Sequence, residues 1–114
     1  SDLLAPPHMT ARDSGIENGI HWATCTAPIY GAVNGYVKIP EGHPWHGLDY
    51  DDISVDAPGG LTFAHGGWIG FDTLHIDDNW PDVPFPSKHG IQWTPEMVAE
   101  EARALARRVA AVSA

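Results

Sequence analysis

Gly59-Gly60-Leu61-Thr62-Phe63-Ala64-His65-Gly66-Gly67-Trp68-Ile69-Gly70-Phe71-Asp72-Thr73-Leu74-His75-Ile76-Asp77-Asp78 decides how this chain folds. In its first half Leu61 and Phe63 alternate with Thr62 and Ala64. In its second half Ile69, Phe71 and Thr73 alternate with Trp68, Asp72 and Leu74. A period of two marks a half-buried strand, so the stretch reads as two strands. Gly66-Gly67 between them supplies the positive φ values of a two-residue hairpin turn. Asp72, His75 and Asp78 then follow at three-residue intervals where the second strand gives out. Titratable groups delivered to the end of a strand have a rigid support, which is what a site needs. Singly, each is equally well a solvated loop residue; as a group they are a candidate site.

Outward from the hairpin, further elements follow. Upstream, Ile53-Ser54-Val55-Asp56 alternates like a strand and stops at the Pro58-Gly59-Gly60 turn. His21 to Ala27 is β-like, with Trp22, Thr24 and Thr26 expected on one face. Asn34-Gly35 is a turn dipeptide leading into the short strand Tyr36-Val37-Lys38-Ile39, which Pro40 ends. Downstream, the prolines at 81, 84 and 86 force an extended connection. Thr94 is a good N-cap, Pro95 fits the first helical position, and Glu96 suits the positive end of the helix dipole. Val98, Ala102, Leu105, Val109 and Val112 then recur at helical spacing, and Glu100 can pair with Arg103. The predicted class is α+β: a small, mainly antiparallel sheet of about five strands with one C-terminal helix packed on it. Residues 1–20, broken by Pro6-Pro7, read as an N-terminal arm, either disordered or bridging to a neighbouring subunit. Residues 21–114 read as a single domain.

The formal net charge is −9, and its distribution is uneven. Nine acidic residues lie between Glu41 and Asp82 with no Lys or Arg among them. The six basic residues, Arg12, Lys38, Lys88, Arg103, Arg107 and Arg108, lie outside that segment. An acidic centre repels a phosphate backbone, so a nucleic-acid polymer is an unfavourable partner. A small nucleotide is still compatible, because a few backbone N–H groups and one or two arginines can hold its phosphates. No run of apolar residues is long enough to span a bilayer, and a secretory leader is not visible, so a cytoplasmic setting is expected. The single cysteine, Cys25, reads as a small buried apolar residue.

Signatures of the common enzyme classes, GxxxxGK[ST], GxSxG, HExxH and CxxC, do not occur. Two constellations stand out instead. The loop 40–52 carries His43, Trp45, His46 and Tyr50 among prolines and glycines, and long structured loops in small domains usually serve a purpose. Aromatic faces beside imidazoles suit a purine pocket: stacking holds the base, and polar groups read its edge. The candidate ligand-binding set is Tyr36, His43, Trp45, His46, Tyr50, His65, Trp68, Asp72 and His75, with Arg12 for phosphate; Phe63 and Phe71 are expected in the core. The alternative is a divalent-metal site in a hydrolase, drawn from a pool that also holds Asp49, Asp51, Asp52 and Asp77. Its ligands would be His43, His46, Asp72, His75 and Asp78. An acidic protein–protein inhibitor of a host enzyme is a third possibility.

The runs Gly35-Tyr36-Val37-Lys38-Ile39-Pro40-Glu41-Gly42-His43-Pro44-Trp45, Asp49-Tyr50-Asp51-Asp52, Gly59-Gly60-Leu61-Thr62-Phe63 and Trp68-Ile69-Gly70-Phe71-Asp72-Thr73-Leu74-His75 resemble an uncharacterised family of small proteins from phages and prophages of actinobacteria. The resemblance covers about residues 34–112 and spares the arm. Where the family often has histidine before Gly-Gly-Leu-Thr, this chain has Pro58. The resemblance implies phage origin, and by analogy an anti-defence factor that sequesters a cyclic nucleotide immune signal without turning it over. A single helix covers one face of a sheet, so the other face is expected to be covered by a neighbouring copy in a homo-oligomer.

Overall fold

The computed structural model describes residues 4–75, 78–84 and 86–112. Its main element is a five-stranded antiparallel sheet. The strands are β1 (Asp13–Glu17), β2 (Ile20–Thr26), β3 (Val33–Lys38), β4 (Phe63–His65) and β5 (Trp68–Phe71). Their spatial order is β1-β2-β3-β5-β4. Two-residue β6 (Asp78–Asn79) and β7 (Ile91–Gln92) pair in parallel as a separate small sheet, and helix α1 (Pro95–Ala110) follows. The α+β class, the antiparallel sheet and the C-terminal helix are as the sequence predicts.

Two elements differ from expectation. The fifth strand is β1, inside the segment read as an arm, whereas residues 53–56 form no strand. Asn34-Gly35 is not a turn but the middle of β3, where a Cβ on Gly35 would lie 2.3 Å from Cζ of Phe71. That glycine is there for space, to admit the Phe71 ring. The Asn-Gly dipeptide that does turn is Asn18-Gly19, with φ of 51° and 82°, joining β1 to β2. Both central residues are left-handed, as a two-residue hairpin demands. Gly66-Gly67, at 61° and 84°, makes the expected turn between β4 and β5.

Alternation along the strands divides the sheet into two faces. Trp22, Val33, Val37, Ile69 and Phe71 point to one; there Val98, Ala102, Leu105 and Val109 of α1 are fully buried in the same main core, the helix lying over β1–β3. The helix begins as its sequence dictates: Thr94 Oγ1 accepts from the Met97 amide at 3.2 Å, and Pro95 opens the first turn. Arg107 reaches Glu17 of β1 at 3.0 Å, and Arg103 lies 5.2 Å over the Trp22 ring. Thr73 extends the sheet past β5, donating from Oγ1 to the Val33 carbonyl at 2.8 Å and from its amide to Asn34 Oδ1. Trp80, in the proline-rich connection, is buried and donates to the Thr73 carbonyl.

The other face holds a smaller cluster of Ala23, Cys25, Tyr36 and Trp68. Its cover comes from the chain itself: Ala5, Met9 and Ala11 of the arm pack on it, joined by Phe63. The Arg12 amide donates to the Thr24 carbonyl, and Pro7 lies over the Gly66 turn. The described part of the arm is therefore ordered against its own sheet. The premise that this face lies open in a single chain does not hold. Among the described residues, no helix is long and apolar enough to cross a membrane.

Candidate functional site

The sequence-predicted site residues fall in separate places. Asp72, His75 and Asp78 do meet. His75 Nδ1 is 2.8 Å from Asp78 Oδ2, and Nε2 is 2.8 Å from Asp72 Oδ1. Asp78 also accepts from the His75 amide and from Trp93 Nε1, at 3.0 and 2.8 Å. The Asp72 contact is close but off the line of a hydrogen bond, and Asp72 Oδ1 has no aligned donor among the described residues. The ring packs on Gly59, where a Cβ would meet its Cε1 at 2.3 Å. A neutral imidazole has one N–H and one acceptor nitrogen, and here a carboxylate faces each nitrogen. This cluster ties the end of β5 to β6 and the Trp93 segment, with Nδ1 held by Asp78 and Nε2 facing Asp72 without an aligned hydrogen bond.

His43 is likewise engaged at both nitrogens. Nδ1 accepts from the Trp45 amide and Nε2 faces the Val109 carbonyl, each at 3.0 Å. It anchors the 40–52 loop to the end of α1. Trp45 lies half-buried against the main core, as an anchoring aromatic does. Tyr50 sits in a short 3₁₀ turn, Tyr50–Asp52, and is 42% exposed. Trp68, expected to face a pocket, is only 3% exposed beneath the arm face. Trp45, His65 and Trp68 border a small recess of about 200 Å³ between the loop and the β4–β5 turn. His46 borders a different groove, on the other side of Gly66-Gly67. The alternative metal set is thus split between the loop and the His75 cluster. Among the described residues, no group of three or more His, Cys, Asp and Glu is placed to hold a metal ion. Asp77, part of the wider ligand pool, lies outside the described residues.

Tyr36 and Arg12 share a groove of about 520 Å³ on the arm face of the sheet. The arm supplies one wall with His8, Met9 and Arg12; β2 and β3 supply the floor with Cys25, Asn34 and Tyr36. None of its described lining residues is acidic, in a chain whose net charge is −9. Tyr36 crosses bare Gly70 and packs edge-on against Phe63 at 5.2 Å between ring centroids. Burial pushes its phenol above the ordinary 10.0, with further upward pushes from Cys25 and Asp72 and an opposing hydrogen bond with Asn34. The phenol is therefore protonated at neutral pH. Burial likewise drives the Cys25 thiol up to about 11, which leaves it a poor nucleophile. Arg12 makes no ion pair among the described residues, although Asp13 and Glu96 line a smaller cleft on its other side.

Sequence reasoning chose Tyr36 and Arg12 but missed His8, Met9 and Asn34. The signal for Asn34 was available in the alternation that puts it on the same face as Tyr36. The wall residues carried none, because only the docked arm brings them there. Comparisons with protein-family models, with curated proteins and with solved structures found no match.

Proposed function

We propose that this protein binds a small nucleotide-type ligand in the arm-face groove and holds it without chemical change. The observation that carries the reading is a groove with no acidic group among its described lining residues and with Arg12 at its rim, in an otherwise acidic chain. Its volume of about 520 Å³ falls within the range of about 300–1,000 Å³ usual for small-molecule sites. Met9 and Tyr36 offer an apolar surface for a base, Asn34 and Thr26 can serve its edge, and Arg12 can pair with a phosphate. The groove carries little that would catalyse: its thiol is protonated, and the titratable cluster at His75 lies elsewhere.

On the phage origin that the resemblance implies, such a binder acts in the host cytoplasm as an anti-defence factor, sequestering a cyclic nucleotide immune signal. That part rests on the resemblance and not on the groove. Homo-oligomer formation belongs to the same proposal, supported by edge strand β1 with Ile16 61% exposed. Calorimetric titration with cyclic mono- and dinucleotides, followed by denaturation and chromatography of the released ligand, tests the reading. Saturable binding, weakened about tenfold or more by Arg12→Ala, with the ligand recovered intact, is expected. Absence of binding, or recovery of a cleaved product, would overturn it.

A further inference from the structure

A second groove, about 500 Å³, opens at the opposite end of the arm face and shares no residue with the first. His21 of β2, Lys38 of β3 and His46 of the 40–52 loop converge on it, with Gly19 and Gly66-Gly67 at its ends. The register explains the first two. Trp22 faces Val37, so His21 and Lys38 are the next facing positions of β2 and β3, one step on and turned to the arm face. His46 comes from a loop that His43 pins to α1, and it lies over the bare backbone of Gly67, where a Cβ would be 3.4 Å from its Nε2.

All three side chains lack partners among the described residues. The ion pairs there involve His75, Arg103 and Arg107, and not Lys38. The imidazole hydrogen bonds there belong to His43 and His75, and not to His21 or His46. Three donors from three separate elements, each free and facing one space, suit an acceptor with oxygens in several directions. A tetrahedral oxyanion has that geometry; a planar carboxylate offers two oxygens on one side.

We propose that this groove is a second binding site, for a phosphate group, held by the Lys38 ammonium and by N–H groups of His21 and His46. Glu41 lines the same groove and opposes the anion. Lys38 and Glu41 carry opposite unit charges, so directed N–H groups supply most of the hold and the site is weak. The proposal does not depend on the Arg12 groove.

Titration with inorganic phosphate at fixed pH, following the ring proton resonances of the seven histidines, tests it. His21 and His46 are expected to shift together and saturate with one Kd in the millimolar range, while exposed His89 stays still. Lys38→Ala should weaken binding about tenfold, and Glu41→Gln should tighten it about threefold. Lys38 and Glu41 are both exposed, so neither change disturbs the core. Arg12→Ala should leave this titration unchanged, which separates the two sites, and acetate should bind less tightly than phosphate. No saturable shift, an equal response at His89, or an unaltered titration in Lys38→Ala would overturn the proposal.

Discussion

The two faces of the sheet are covered by different means. On one, α1 lays down a continuous stripe of Val98, Ala102, Leu105 and Val109, all fully buried, over β1–β3, and Ile53, Trp80 and Trp93 complete the same core. On the other, an irregular arm covers the middle with Ala5, Met9 and Ala11 and leaves a groove at each end. A helix presents side chains along its whole length, whereas a strap of small residues touches the sheet only where it crosses. On the proposed reading, the contrast puts stability and binding capacity on opposite sides of one thin sheet. Side chains at odd positions of β2 and even positions of β3 lie on the arm face; their immediate neighbours lie on the helix face.

Substitutions on the two faces should therefore differ in kind. The largest effect is expected from Leu105→Ala, which opens a cavity under α1 and should cost about 2–5 kcal/mol in denaturant unfolding. A loss below about 1 kcal/mol would mean that the helix face is not the sealed side. Next is Gly35→Ala, whose methyl group would collide with the Phe71 ring, itself 1% exposed. Overpacking there should cost about 1–3 kcal/mol, read from the same unfolding curves. On the arm face, Met9→Ala removes a half-buried contact and should cost only about 1 kcal/mol. It should nevertheless weaken nucleotide binding in calorimetry, because Met9 is part of the groove wall.

The smallest effect concerns Cys25 and appears only in alkali. An unfolded chain ionises this thiol near its ordinary 9.0, and the folded protein near 11. Between those values the unfolded state loses the proton first, so stability falls as pH rises through that window. Below it, this group contributes no slope. Alkylation of the native protein should accordingly be slow at pH 8 and quicken toward pH 11; rapid labelling at neutral pH would contradict the buried placement.

Much of this division was legible in the sequence, and the rest was hidden for identifiable reasons. Thr94-Pro95 and the apolar stripe after them specify α1 without help from the rest of the chain, and Gly66-Gly67 specifies its hairpin. By contrast, β1 has the sequence Asp13-Ser14-Gly15-Ile16-Glu17, too polar to stand out, because an edge strand need bury little. Asn34-Gly35 misled because the same dipeptide can give a turn or make room for an aromatic ring. Only the position of Phe71 across the register decides between them. The Asp72–His75–Asp78 spacing did bring three groups together, around the ring of His75. Whether a histidine is free depends on its partners, and spacing does not reveal those. The grooves were least legible, since each joins residues from at least three segments.

Hydrogen exchange with and without a saturating cyclic nucleotide tests the division of labour most directly. Protection is expected in peptides covering residues 4–12 and 25–36, the wall and floor of the Arg12 groove, with no change across α1 at 98–109. No ligand-dependent change in the arm-face peptides, or protection centred on α1, would contradict the account.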